Sequence, residues 1–241
     1  MRIIKLSMLA AIMLTTGITA VKAQTADEIM EKHINAVGGL DNWNKIKTVK
    51  MTGSMSQQGM EISMTQTIDM AKGARLDISV MGMNGYQIVT NTEGWAYMPF
   101  MGSTKIDTMK PEMVKGMQKQ FDIKGHQLVD YKSNGTKTEL AGKDSVNNTL
   151  CYKIKCTDKE GNESMCFFDA GSYYLLRTEM KVKANDQEQE VAIVYNNYQK
   201  LPEGVVMPMS LTAQGGEITY KTIELNKPVD ESIFKPTPVS K

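Results

Sequence analysis

Apolar and polar residues alternate along most of this chain, and a period of two predicts β-strands. In the run 60–70, the even positions include Met60, Ile62, Met64 and Ile68, while the odd positions carry acids and hydroxyls. Such alternation is typical of an antiparallel sheet with one covered face and one solvated face. The same pattern predicts strands at about 49–55, 60–70, 76–80, 86–91, 95–98, 128–131, 140–146, 150–157, 165–169, 175–184, 190–198, 205–212 and 217–225.

The connections between the early strands are short enough to join them as a meander. Gln57-Gln58-Gly59 and Lys72-Gly73 are turn sequences between alternating runs. In the last strand the alternation changes phase between Tyr220 and Ile223, which predicts a β-bulge near Lys221. The pattern therefore predicts a mainly β fold with a few helices, built as one large, strongly curved antiparallel sheet.

Helical signals stand before the sheet and in its middle. Thr25-Ala26-Asp27-Glu28 has the form of a capping box, so a first helix should begin near Ala26 and end at Gly38-Gly39. A short helical piece follows around 40–46. A further helix is predicted at 111–121, because Met109, Met113, Met117 and Phe121 recur every four residues as an apolar stripe.

The first 23 residues predict a cleaved secretory signal. Arg2 and Lys5 precede an apolar run, and small residues stand at minus three and minus one from a cut after Ala23. The alternative, a membrane anchor, needs about 20 apolar residues, and this run is shorter and broken by threonines. We expect an exported, soluble, periplasmic protein that begins at Gln24.

Composition excludes one class of partner and favours a single domain. The chain carries 28 basic and 27 acidic residues, and loss of 1–23 leaves a net charge near −2 with no basic stripe. Nucleic acid is therefore not an expected partner. With seven prolines and no low-complexity linker, 24–241 is predicted to form one domain.

Few residues could carry chemistry. His33 and His126 are the two histidines, they lie far apart, and His33 falls on the apolar face of the first helix. His-x-x-x-His, Cys-x-x-Cys and Gly-x-Ser-x-Gly are all absent from the sequence. We expect no catalytic residues, no metal site and no cofactor, and His33 is interpreted as a core histidine.

Three cysteines cannot all pair with one another. A three-residue loop at 160–162 would set Cys156 opposite Cys166, at a separation that suits a disulfide, whereas Cys151 is out of phase and should be free. The alternative is three unpaired, partly buried thiols. The residues leave both possibilities open.

Methionine is unusually common, with 20 copies against five phenylalanines. Its flexible, polarizable side chain adapts to irregular apolar partners and is frequent at promiscuous binding surfaces. A core that tolerates methionine would give the same composition. The count is therefore compatible with either a packed core or the lining of a cavity.

Two segments carry a resemblance to a known family. Asn91-Thr92-Glu93-Gly94-Trp95-Ala96-Tyr97-Met98-Pro99-Phe100 and the ending Asn226-Lys227-Pro228-Val229-Asp230-Glu231-Ser232-Ile233-Phe234 resemble periplasmic lipoprotein carriers of the LolA type. The chain is similar to their branch of outer-membrane lipoprotein-sorting proteins. The resemblance implies a half-open β-barrel with a helical lid, whose apolar concave face holds acyl chains. In one respect the chain departs from it: the carriers latch the lid with an arginine beside a lysine, whereas Gly73 follows Lys72 here and the nearest arginine is Arg75.

The predicted ligand site combines the alternation, the resembling motif and the lid. A non-catalytic binder or carrier of lipid or lipoprotein acyl chains is the leading hypothesis, with a monomeric state and envelope membrane proteins as possible contacts. The alternative is a sensor or scaffold of the same fold that binds a protein partner. The alternation places Met51, Met55, Met60, Ile62, Met64, Ile68, Leu76, Ile78 and Val80 in the site, the motif adds Trp95, Tyr97 and Phe100, and the lid adds Met113 and Met117.

Overall fold

The computed structural model describes residues 24–57, 59–184, 187–213 and 216–237. The predicted signal peptide and its cleavage site lie outside the described residues. The α-helices within these ranges are α1 (Ala26–Ala36), α2 (Leu40–Asn44), α3 (Pro111–Gln120) and α4 (Ile123–His126), and 3-10 helices occur at Pro99–Met101 and Glu231–Phe234. No helix in the described ranges is both long and apolar enough to cross a membrane.

The described ranges contain thirteen strands in one antiparallel sheet. The strands are β1 (Thr48–Gln57), β2 (Met60–Asp69), β3 (Gly73–Val80), β4 (Met83–Thr90), β5 (Gly94–Tyr97), β6 (Asp107–Thr108), β7 (Lys137–Val146), β8 (Thr149–Thr157), β9 (Glu163–Asp169), β10 (Leu175–Ala184), β11 (Gln187–Lys200), β12 (Val206–Ala213) and β13 (Gly216–Leu225). In sheet order they are β6-β5-β4-β3-β2-β1-β13-β12-β11-β10-β9-β8-β7, so two meanders meet where the first strand pairs with the last. β6 and β7 are the two edges, and the sheet is curved but not closed.

Local sequence signals account for the start of α1 and for an irregularity in β13. The Thr25 hydroxyl accepts a hydrogen bond from the Glu28 amide at 3.2 Å, and the Glu28 carboxylate accepts one from the Thr25 amide at 2.9 Å. This reciprocal pair confirms the capping box. In β13, Thr52 pairs with Thr222 and Gly53 with Tyr220, so Lys221 is an extra residue and the predicted bulge is confirmed.

One predicted strand, 128–131, is wrong. These residues form consecutive turns after α4, and Leu128 has a left-handed backbone with φ 53°. Val129 and Tyr131 are 1% and 3% exposed because the turns press them into the core. Val129 and Tyr131 are buried and alternate with less buried residues, which gives the same period of two as a strand. For this reason the pattern wrongly predicted a strand here.

The four α-helices of the described ranges pack on the same side of the sheet, which we call the inner face. Two core clusters lie between these helices and the sheet. The first unites helical residues with β1 to β4, and includes Trp43, Val49, Ile68, Ala74, Val89, Val114 and Ile123. The second joins α1 to the later strands, and includes Ile29, Met30, Ile154, Cys166, Phe168, Leu175 and Tyr195.

Of the two possibilities left open for the cysteines, the structure has the three unpaired thiols and not the Cys156–Cys166 disulfide. The β8–β9 hairpin pairs Thr157 with Glu163, so its loop is longer than expected and the register moves by two residues. Cys166 therefore lies opposite Ile154, and Cys156 lies opposite Ser164. All three cysteines are buried free thiols.

Candidate ligand-binding trough

The register of five neighbouring strands arranges the inner face into four rows. Directly paired residues of an antiparallel sheet point to the same face, so each row crosses the sheet at right angles to the strands. The first row is Leu225, Val49, Ile68, Ala74 and Val89; the second is Ile223, Met51, Gln66, Leu76 and Gln87; the third is Tyr220, Gly53, Met64, Ile78 and Gly85; the fourth is Ile218, Met55, Ile62, Val80 and Met83.

The first row is closed core beneath the helices. Its large side chains are almost fully buried, with Val49 at 0% and Ile68 at 4% exposure. Gly94 continues the row in β5, where a Cβ would lie 2.8 Å from the Met109 sulfur and 3.2 Å from a Val114 methyl. The loop before α3 and α3 itself thus press directly on this end of the sheet.

The third and fourth rows form an apolar surface that the helices leave partly uncovered, and we call it the trough. Met55, Met64, Ile78 and Val80 are half-buried, and Ile62 is buried at 9%. Neither row contains a charged side chain. Several predicted ligand-binding residues therefore lie side by side on one continuous surface.

Predicted residues outside these two rows lie beside the trough, at its end or at its flank. Met51 and Ile68 belong to the packed core, and Leu76 borders it, so they lie next to the trough on its closed side. Met60, 43% exposed at the start of β2, lies at the open end. Phe100 flanks the third row, since a Cβ on Gly85 would lie 2.8 Å from its ring.

Trp95 and Tyr97 do not line the trough, which corrects the prediction from the motif. They pair with Ile88 and Tyr86 on the outer face of the sheet. There they pack with Phe234 of the C-terminal segment. The inner face of β5 carries the small residues Gly94 and Ala96 instead, because α3 and the residues before it need that space.

The predicted lid helix, α3, does lie over the inner face, but with a different contact surface. Val114 is 4% exposed and joins the first core cluster, with Met117 half-buried beside it. Met113 is 56% exposed, so the prediction that it closes the trough is wrong. The helix begins at Pro111, so Met109 of the predicted stripe is not part of it. Successive residues of an α-helix are rotated by about 100°, so Met113 points away from the sheet when Val114 faces it.

A glutamine, and not an arginine, ties the lid helix to the sheet. Gln118 Nε2 donates to the Thr90 carbonyl at 2.8 Å. Gly73 has no room for a side chain, because a Cβ would lie 2.1 Å from the Val89 carbonyl oxygen. Arg75 lies on the outer face, where it contacts Asp77 at 2.7 Å and cannot reach α3.

Three polar side chains on the inner face escaped the prediction. Gln66 and Gln87 flank Leu76 in the second row, and Tyr220 begins the third. Burial raises the pKa of Tyr220, so its phenol remains neutral. The alternation of β2 places Gln66 on this face. The predicted site was limited to apolar and aromatic residues, and Gln66 was left out for that reason.

His33 has a structural role, as the sequence predicted. It is fully buried, with Nδ1 2.9 Å from the Tyr173 carbonyl oxygen and Nε2 2.8 Å from the Gln127 carbonyl oxygen. Both ring nitrogens are therefore committed to the backbone. The ring fixes α1 against two loops.

A concavity near the far ends of β8 to β11 differs in character from the trough surface. It measures about 1120 Å³, and its lining mixes Met180 and Val191 with charged residues such as Lys155, Glu163 and Glu179. A long apolar ligand would have to displace water from these charges. The trough is the better candidate for an apolar ligand.

Comparison with known proteins identifies the fold. No family model matches the chain, and no curated protein matches it. Among solved structures, a DUF1329 family protein from Desulfovibrio piger has a TM-score of 0.56 at 13% identity, covering 87% of this chain and 97% of that one. A LolA superfamily protein from Nitrosomonas europaea has a TM-score of 0.53 at 11% identity, covering 89% and 99%. An outer-membrane lipoprotein-sorting protein domain from Vibrio parahaemolyticus has a TM-score of 0.52 at 12% identity, covering 86% and 94%.

These similarities extend over nearly the whole length of each protein. The chain therefore has the LolA-type fold, a curved antiparallel sheet that stays open with helices on its inner face. This confirms the fold class predicted from the sequence. At such low identity the comparison concerns the fold alone.

Proposed function

We propose that the protein is a non-catalytic periplasmic binder, and in its full role a carrier, of lipid or lipoprotein acyl chains. Residues 24–241 would act as one monomeric domain after removal of the signal peptide. Two proteins of the same fold are described as a LolA superfamily protein and a lipoprotein-sorting domain, which supports this direction. The proposal depends on the trough.

The observation that carries the proposal is the open, uncharged apolar surface beside a lid helix. The third and fourth rows offer half-buried methionine and β-branched side chains without a charge to desolvate. A buried methylene contributes about 0.8 kcal/mol, so a chain of ten or so carbons needs few polar contacts to bind well. Methionine side chains can adjust to chains of different length.

A paired substitution on one strand tests the proposal. Met64 and Ile68 share the inner face of β2, but Met64 lies in the trough and Ile68, 4% exposed, lies in the closed core. Met64→Glu should retain the fold and abolish binding of 1-dodecanoyl-glycerophosphocholine, measured calorimetrically below its critical micelle concentration. Ile68→Glu should unfold the domain, because an unpaired buried carboxylate costs several kcal/mol.

Circular dichroism melting distinguishes the outcomes. If Met64→Glu unfolds as readily as Ile68→Glu, the third row is closed core and the trough does not exist. If the folded wild-type protein binds no acyl lipid at micromolar concentrations, the carrier proposal fails. A scaffold that binds a protein partner would then take its place.

A further inference from the structure

The second row contains two glutamines in a position that apolar packing does not explain. Gln66 in β2 and Gln87 in β4 both pair with Leu76 of the strand between them. Their other neighbours in the row are Met51 and Ala96. The row lies between the closed core of the first row and the open trough of the third.

Neither carboxamide has a hydrogen-bond partner within the part of the chain that the structure describes. Both side chains are half-buried, and their amide atoms keep contact with solvent. Gln118, on the lid helix, provides a contrast because its carboxamide is committed to the Thr90 carbonyl. The carboxamides of Gln66 and Gln87 are therefore free to exchange water for a polar group of a ligand, with a net gain in binding free energy for each hydrogen bond.

We propose that Gln66 and Gln87 recognise the neutral carbonyl group at the head of a bound acyl chain. This inference rests on the proposed function, since it places the hydrocarbon of the same ligand in the trough. The carboxamide N–H groups would donate to an ester or amide carbonyl oxygen, while the chain extends over the third and fourth rows. Gln66 and Gln87 are then specificity-determining residues for esterified or amide-linked acyl chains.

The spacing and the absence of charge both favour this ligand class. Alternate strands of a sheet are about 10 Å apart, so two glutamine side chains can reach one group placed over Leu76. The four rows contain no lysine or arginine that could neutralise a carboxylate. Amide donors can replace the water that a neutral carbonyl group loses on binding. A carboxylate or phosphate in the same place would lack a cationic partner. The charged part of a lipid headgroup must therefore stay in solvent.

Two lipids that differ in one carbonyl test the inference. The probes are 1-dodecanoyl-glycerophosphocholine, which has an ester, and 1-O-dodecyl-glycerophosphocholine, its ether analogue. Wild-type protein should bind the ester about three- to tenfold more tightly, the range expected for one or two neutral hydrogen bonds. The double variant Gln66→Met/Gln87→Met should lose this preference and retain its affinity for the ether, because methionine matches glutamine in length and suits an apolar row.

Thr65→Val is the matched control, since Thr65 precedes Gln66 but lies on the outer face of β2. It should leave the ester preference unchanged. Equal binding of ester and ether by the wild type, or an ester preference that survives in the double variant, overturns the inference and leaves acyl binding intact. Absence of binding to either lipid overturns both proposals. Equal binding of ester and ether by the wild type overturns the inference even if the double variant does not fold.

Discussion

At the scale of single residues, His33 has an environment in which its charge state affects stability. A neutral imidazole donates through one nitrogen only, yet both nitrogens lie within hydrogen-bond distance of carbonyl oxygens. Burial lowers the pKa of His33 below its ordinary value of 6.5, although the two carbonyl groups act in the opposite direction. Burial is the larger effect, so the folded protein holds this ring neutral.

The lowered pKa gives stability a definite dependence on pH. Between the folded and the ordinary pKa, the unfolded chain binds more protons than the folded one, so stability increases with pH. We expect the full contribution above pH 6.5 and a progressive loss below it. Melting temperatures from pH 8 to pH 5 measure this, and His33→Gln should have a flatter profile. His126→Gln, an exposed control, should keep the wild-type profile; the same flattening in the control would contradict the role of His33.

The cysteines show what alternation can and cannot predict at this scale. Alternation correctly placed Cys156 and Cys166 on one face. The pKa of the Cys156 thiol is raised, chiefly by its hydrogen bond with Cys166 and to a smaller extent by burial. Alternation could not predict the register, which depends on the hairpin loop. Asp158 stabilises that longer loop by accepting from the backbone amides of Glu160 and Asn162 at 2.9 and 2.8 Å. A shift of two residues keeps both cysteines on one face but makes them diagonal neighbours instead of a directly opposed pair.

At the scale of elements, α3 is a helix with an internal weak point. Gly116 lies in its middle, and a Cβ there would meet no atom within 4 Å. The glycine therefore serves no packing purpose, and it costs on the order of 1 kcal/mol in a helix relative to alanine. A lid that must move would benefit from this weakness.

Gly116→Ala should stabilise α3 without altering its contacts. Hydrogen exchange of residues 111–120 should slow by about fivefold, which corresponds to about 1 kcal/mol of helix propensity. Lys115→Ala, an exposed neighbour with near-equal propensity, is the control and should change little. If exchange in Gly116→Ala matches the wild type, the opening that exposes these amides does not unfold the helix at Gly116, and the lid interpretation loses its support.

The elements were largely predictable, but the direction of some faces was not. Strands β1 to β3 have one apolar face over most of their length, so periodicity identified it correctly. In β4 and β5 both faces are buried, one by α3 and the other by the C-terminal segment. The resembling motif assigned Trp95 and Tyr97 to the trough, and local alternation could not correct this, because it cannot tell which of two buried faces is the inner one. The contact that decides it is with Phe234, more than a hundred residues away along the chain.

At the scale of the whole molecule, the two faces of the sheet contact different parts of the chain. The inner face carries the helices and the trough, while the outer face of β3 to β5 holds the C-terminal segment. Arg75 links that segment to the sheet, donating to the Ile233 carbonyl at 3.1 Å and lying 4.7 Å from the Tyr86 ring centroid. The arginine nearest to the expected latch position thus fastens a different segment on the opposite face.

This separation predicts that the C-terminal segment can be loosened without loss of ligand binding. Arg75→Met should lower stability by about 1–3 kcal/mol, because it leaves a carbonyl acceptor and Asp77 without their charged partner. Limited proteolysis should then cleave within 229–237 faster than in the wild type, while affinity for 1-dodecanoyl-glycerophosphocholine should not change. Lys72→Met is the matched control, since it removes an exposed ion pair to Glu231 of the same segment and should cost less than about 1 kcal/mol. If Arg75→Met weakens lipid binding while the domain remains folded, the two faces are coupled, and the C-terminal segment contributes to the trough across the sheet.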